Sequence, residues 1–221
     1  TTKFLSGQGN AMGGIVIDSG RFPWFGNAKY PSLSEPCPDY NGLTFAETFG
    51  DMAFTLYSHA VSLRDLGCTQ SPMNAWITLN GVETLPLRME RHVENAQKVA
   101  GFLQQHPSVE WVSYAGLSSS PYYQLAQKYL QGKAGSVFTF GIRGGYESGL
   151  RLLEKVELFS HVSNIGDSRS LILHPASTTH RQLSDEQRLT AGAGPEVIRL
   201  SVGIESAEDL IADLEQALEG L

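Results

Sequence analysis

Lys3 lies in Thr1-Thr2-Lys3-Phe4-Leu5-Ser6-Gly7-Gln8-Gly9-Asn10, with hydroxyls on either side of it and two glycines behind. A lysine amine forms a Schiff base with an aldehyde, and with pyridoxal phosphate that bond turns the cofactor into an electron sink for carbanions made from amino acids. Neighbouring hydroxyls and backbone N–H groups in a glycine-containing turn suit a phosphate, because glycine allows close approach and compact donors converge there. The same residues also describe an ordinary solvated turn. Other parts of the chain must decide between the two.

A second candidate is Arg199, inside the apolar run Val197-Ile198-Arg199-Leu200-Ser201-Val202-Gly203. A charge in such a run needs a partner, because desolvating it alone is costly. It could face solvent from an edge strand, meet an internal carboxylate, or offer its planar fork to a substrate carboxylate. Two polar loops flank the apolar Leu171-Ile172-Leu173: Ser163-Asn164-Ile165-Gly166-Asp167-Ser168 before it and His174-Pro175-Ala176-Ser177-Thr178-Thr179-His180 after it. Both could present amide and hydroxyl groups at the ends of a strand, or be plain turn chemistry. His174 and His180 find no third ligand at a metal-binding spacing, so no metal is expected. No Gly-x-Ser-x-Gly elbow occurs, and Gly7-Gln8-Gly9 follows no strand, which leaves hydrolase and dinucleotide readings without support.

The elements that must position these residues are read from periodicity and breakers. Met12 to Asp18 is a short apolar run and reads as a buried strand. Arg21 to Thr48 carries Pro23, Pro31, Pro36 and Pro38 among aromatics, the pattern of a long ordered excursion over the surface. Helical spacing returns at 51–66, and Ser71 with Pro72 starts a short helix to Leu79. A long helix is expected over 83–105, with a stripe of Leu87, Glu90, Val93, Gln97, Val99 and Leu103, ended by Pro107 and bridging two domains. Strands are then expected at 109–114, 136–142, 171–173 and 197–202. Helices are expected at 122–130, 146–156 and, behind Ser206 as N-cap, 207–221. This is an α/β chain with a partly antiparallel sheet.

Composition limits the function classes. The 221 residues are 41% hydrophobic and carry a formal charge of −7, with a pI near 5.3. Such a surface disfavours nucleic acid and anionic membrane as partners. Two cysteines, Cys37 and Cys68, favour a reduced cytoplasmic setting over a disulfide scaffold. No apolar run has membrane-spanning length. A chain that opens without Met, in the middle of a candidate site, reads as a processed product or a piece of something longer.

Four collinear motifs carry a family resemblance. They are Thr2-Lys3-Phe4 with Ser6-Gly7-x-Gly9; Leu85-Pro86-Leu87-Arg88-Met89-x-Arg91-His92-x-x-Asn95-Ala96; His174-Pro175-Ala176-Ser177-x-Thr179-His180; and Arg199-Leu200-Ser201-Val202-Gly203. With them the chain resembles the C-terminal half of the Cys/Met-metabolism enzymes dependent on pyridoxal phosphate. The resemblance implies the C-terminal part of a fold-type I transferase: the end of the large cofactor domain over 1–84, then a bridging helix and small domain over 85–221. It implies pyridoxal phosphate held covalently by Lys3, with Thr2 on the phosphate and Asn164, Thr179 and Arg199 around the substrate carboxylate. Asn164 stands where lyases and cystathionine synthases of the family usually carry Ser, and with the excursion over 21–48 it resembles the sulfhydrylase branch. The implied activity is gamma-replacement on O-acetyl-L-homoserine by sulfide or a small thiol. Lyase or gamma-synthase activity of the same family, and a noncatalytic module, are the alternatives. The phosphate loop, ring-stacking aromatic and pyridine-pairing Asp of the family lie upstream of its lysine, so a missing N-terminal half is implied as a partner, in a homotetramer.

Overall fold

The computed structural model describes residues 1–221. Contacts divide them into two units, one of residues 13–75 and one of residues 1–12 with 76–221.

The 13–75 unit is built from short helical turns. Prolines set the first two, because a ring-fixed φ suits a first helical turn whose N–H is unpaired in any case. They are α1 (Pro31–Ser34) and a 3-10 turn at Pro38–Tyr40, and α2 (Phe45–Phe49) and α3 (Ala53–Tyr57) follow. A stretch of π-helix, Ser58–Asp65, continues from α3. The excursion therefore has regular structure and its own core. Leu33, Phe45, Ala46 and Ala53 are buried, with Trp24, Tyr40, Phe54 and Tyr57 packed against them. Trp24 stacks on Phe54 at 5.5 Å and Phe45 meets Tyr57 edge-on at 5.1 Å. The strand expected over 12–18 does not form. Ile15, Val16 and Ile17 are 72%, 76% and 85% exposed, so the apolar run is not the buried one its composition suggests.

The two helices expected over 72–79 and 83–105 are one, α4 (Pro72–Gln105). The division between units falls inside it, between Ala75 and Trp76. Gly81 does not break it, because Gly81 is a crossing point: a Cβ there would lie 2.3 Å from Leu5 O and 2.5 Å from Ser6 O. Its buried face also differs from the expected stripe. His92, Asn95, Ala96, Val99, Ala100 and Leu103 are inside, at helical spacing, while Leu87 is 72% exposed.

The sheet is β1 (Val109–Ser113), β2 (Val137–Ile142), β3 (Ser160–His161), β4 (Leu171–Leu173) and β5 (Val197–Ser201), in the order β1-β2-β5-β4-β3. All pairs are antiparallel except β3 with β4. Between the strands run α5 (Tyr123–Leu130), α6 (Gly145–Lys155) and α7 (Asp185–Thr190), and α8 (Ala207–Leu218) closes the chain. Helix α7 was not expected, although Ser184 and Gln187 form a capping box at its start. Phe138, Phe140, Ile142, Ile172, Ile198 and Leu200 pack with Val99, Leu103, Leu152, Leu210 and Leu214 in one core. Alternation then fixes the opposite face of the central strand β5. It carries Arg199, in register with Thr139 and Leu173, and Ser201.

Candidate active site

Arg199 is on a central strand, and it meets no carboxylate. Its Nη2 donates to Asn164 O at 3.2 Å. Two residues along the same face, the Ser201 hydroxyl accepts from the Gly166 N–H at 2.9 Å. Strand β5 thus holds the 163–168 loop across its outer face at two points. Partial burial pushes the Arg199 guanidinium down from its ordinary value, though arginine remains charged.

The loop in turn holds the Lys3 turn. Ser168 donates to Gly7 O through both its N–H, at 2.8 Å, and its hydroxyl, at 2.6 Å. Gly166 has φ +70°, and a Cβ on it would fall 2.8 Å from Phe4 N, so the position takes only glycine without a shift. Asp167 beside it is buried. Burial alone would push its carboxyl up, but the side chain and N–H of Arg169, which donate to it at 3.0–3.2 Å, hold it below the usual range.

The turn itself is tied by Gly7 N–H to Lys3 O at 2.8 Å, Ser6 N–H to Thr1 O at 3.2 Å, and the Ser6 hydroxyl to Thr2 O at 3.1 Å. Lys3 is exposed, and its Nζ donates to Asn164 Oδ1. Asn164 therefore receives Lys3 on its side chain and Arg199 on its backbone. A candidate Schiff-base lysine and a candidate carboxylate-binding arginine are brought to one residue, with an exposed amine and no acidic side chain paired to either. Thr179 is not brought to them: it is exposed, and its hydroxyl pairs with His180 Nδ1 at 2.9 Å. Thr2 precedes Lys3 on the turn and is partly exposed.

His174 is structural. Its ring nitrogens are spent on the Ser177 hydroxyl at 3.0 Å and Pro195 O at 2.8 Å, Tyr146 packs on its ring, and burial pushes its pKa down.

The model of the Cys/Met metabolism PLP-dependent enzymes matches residues 1–219. The chain belongs to that family. It is 49% identical over 217 residues to O-acetyl-L-homoserine sulfhydrylase 1 of Thermus thermophilus, covering 98% of this chain and 51% of that protein. It is 50% identical to an O-acetyl-L-homoserine sulfhydrylase of Leptospira meyeri, covering 100% and 52%. Among solved structures, one described as an O-acetylhomoserine (thiol)-lyase of Campylobacter jejuni, with N'-pyridoxyl-lysine-5'-monophosphate, superposes with a TM-score of 0.89 at 42% identity, over 99% of this chain and 52% of that one. The chain spans about half the length of the curated relatives it matches.

The four motifs of this Cys/Met-metabolism chain have different physical jobs. Those holding Lys3 and Arg199 meet at Asn164. The motif of Arg88 and His92 lies on α4 under the Lys3 turn, and the motif of His174 packs a corner. Ser168 and Gly166 were not singled out from the sequence, because nothing local says what a loop serine bonds to. Their signal was only that they share a polar loop with Asn164.

Proposed function

We propose that the complete protein catalyses gamma-replacement on O-acetyl-L-homoserine by sulfide or a small thiol, giving homocysteine or methionine and acetate. The observation that carries this reading is Asn164, bonded at once to Lys3 and Arg199. Family membership and the sulfhydrylase relatives support it further.

The residues present fit pyridoxal phosphate from the lysine side: Lys3 is exposed at the edge of its turn, with a neutral amide as partner. Lys3 would hold the cofactor through Nζ, with Thr2 next to the phosphate. Pyridoxal phosphate, when bound, supplies an electron sink for negative charge on the amino-acid carbons. Arg199 grips the substrate alpha-carboxylate in a charge-assisted pair, with Asn164 as polar neighbour, and so fixes which carbon faces Lys3. Lys3 Nζ takes and returns the protons. In the net reaction the Cγ–O bond breaks, acetate leaves, and a Cγ–S bond forms.

Upstream residues complete the cofactor site in this reading, and 1–84 and 85–221 are the end of the large domain and the small domain of a cytoplasmic homotetramer. No helix is long and apolar enough to cross a membrane. The test is an assay of the full-length protein. O-acetylhomoserine with sulfide is expected to yield homocysteine faster than methionine or cystathionine is cleaved. Lys3→Ala is expected to abolish both turnover and visible cofactor absorbance. Cleavage without replacement would identify a lyase, and an unchanged Lys3→Ala protein would mean a noncatalytic module.

A further inference from the structure

One face of α4 touches the Lys3 turn at three successive levels. At the first, Gly81 lets the helix backbone lie directly against Leu5 and Ser6, where a Cβ would come within 2.3 Å of Leu5 O, 2.5 Å of Ser6 O and 2.7 Å of Ser6 Cα. At the second, Arg88 folds back along the helix. Its Nη2 donates to Gly81 O at 2.7 Å, and its Nε donates to the Thr84 hydroxyl at 3.1 Å. The guanidinium so anchored lies against Gly7, filling the space a Cβ there would need, and Nη2 also approaches Leu5 O at 3.5 Å. At the third, Phe4 meets the His92 ring edge-on at 5.4 Å. His92 is fully buried and its Nδ1 is 2.6 Å from Val202 O, the residue after β5. A carbonyl can only accept, so Nδ1 carries the proton.

Residues 81, 88 and 92 are spaced to share one side of a helix. Between them they meet Phe4, Leu5, Ser6 and Gly7, every residue from Lys3's neighbour to the end of its turn. On the far side the same turn is held by Ser168 and Gly166 of the loop that β5 carries. The lysine is thus set between a helix face and a loop. The helix side chains touch the residues that follow Lys3, the Phe4 ring and the backbone at Leu5 and Gly7.

We infer that Gly81, Arg88 and His92 are positioning residues for Lys3, a rigid seat on α4 that fixes where Nζ stands relative to Asn164 and Arg199. The inference rests on Lys3 being the cofactor-bearing lysine of the proposed function. Misplacing a reacting group by about 1 Å costs on the order of 100-fold in rate, so a seat of this kind is visible in turnover.

The experiment uses the full-length enzyme loaded with pyridoxal phosphate. Gly81→Ala adds one methyl against the turn while favouring the helix itself, and Arg88→Lys keeps the charge but loses the planar fork. Each variant is followed by the visible absorbance of the cofactor titrated against pH, by kcat and KM for O-acetylhomoserine, and by thermal midpoint. The expected result is a shifted absorbance midpoint and a kcat lowered about 10- to 100-fold with KM changed less than about threefold, and a thermal midpoint that does not fall with kcat in Gly81→Ala. If Gly81→Ala does not accumulate folded, Arg88→Lys decides alone. Unchanged absorbance and kcat in the folded variants would overturn the inference. A wild-type protein with no visible absorbance would instead overturn the proposed function.

Discussion

At the scale of single residues, Arg199 and Asn164 make claims that separate cleanly in kinetics. Arg199 lies on a central strand with no carboxylate of the chain beside it, and it donates to a backbone oxygen. A planar fork with spare donors is suited to a carboxylate in a way that an ammonium is not. If the proposed function holds, Arg199→Lys in the full-length protein is expected to lower kcat/KM for O-acetylhomoserine about 10- to 100-fold, the size of one charge-assisted hydrogen bond of about 1.5–3 kcal/mol. The loss should fall mainly in KM, leaving the response to sulfide unchanged. Initial-rate kinetics with each substrate varied in turn check it, and a loss confined to kcat would argue that Arg199 acts elsewhere. Asn164→Ser replaces the amide oxygen that accepts from Lys3 with a hydroxyl on a shorter side chain, while its backbone oxygen still faces Arg199. Its expected signature is therefore the reverse: kcat falls severalfold with KM for O-acetylhomoserine nearly unchanged. Steady-state kinetics on the two variants in parallel would show whether the effects divide this way.

At the scale of elements, Asp213 on α8 shows how the small-domain helices are fixed to the sheet. Its buried carboxylate accepts from the N–H groups of Glu157, Leu158 and Phe159 at 2.8, 2.9 and 3.1 Å, and so satisfies the chain that leaves α6 for β3. Burial alone would push this carboxyl up, but the three N–H donors and Gln216 outweigh it, and it sits below the ordinary aspartate value. A depressed folded pKa gives stability that is fully present above the unfolded value and is lost as pH falls through the folded one. Asp213→Asn is expected to lower stability at neutral pH by about 1–3 kcal/mol, since an amide cannot accept at both ends. The gap from wild type should narrow as pH falls below about 4, where aspartate in the unfolded chain protonates, and close only once the folded carboxylate, depressed below that value, protonates as well. Urea unfolding at pH 7 and at pH 3 measures both values, and a gap that is the same at both would contradict this account.

Elements of this kind were largely legible in the sequence, and the exceptions have physical causes. Strands β2, β4 and β5 and helices α6 and α8 follow from apolar periodicity and caps. Ser206, expected as the N-cap of α8, does accept from the Asp209 N–H. The face of α4 was misread because two of its buried residues, His92 and Asn95, are polar. Asn95 is satisfied only by Gly203 O and Glu205 O, more than 100 positions away. Gly81 falls between the two helices expected over 72–79 and 83–105, and the contact that uses a glycine there, a crossing chain at Leu5, is not local. At the site, Lys3, Asn164 and Arg199 were legible and the structure joins them. Thr179 was legible as a motif residue only, and its hydroxyl is turned to His180.

At the scale of the whole molecule, surface chemistry makes a prediction that the fold does not. The chain carries a net charge of −7, which opposes self-association through repulsion. Against this stand Met12, Ile15, Val16 and Ile17, close in sequence and each at least 72% exposed, in a segment without a strand partner. Apolar side chains grouped on a surface mark an interaction site or an aggregation liability, and covering one Ile or Val is worth about 1.5–3 kcal/mol. Two or three such side chains buried at once outweigh a diffuse repulsion that salt screens within about 10 Å at 0.1 M. The 221-residue polypeptide is therefore expected to self-associate in a manner that strengthens with salt, sulfate most of all, because salt removes the repulsion and sulfate favours apolar burial. Replacing Ile15 and Ile17 by Lys should shift the onset of association to markedly higher protein concentration, with the thermal midpoint unchanged because neither side chain is in a core. Sedimentation velocity across a concentration and sulfate series, with circular dichroism melts of both proteins, gives the comparison. If the doubly substituted chain associates at the same concentration as the original, the apolar run is not what drives association.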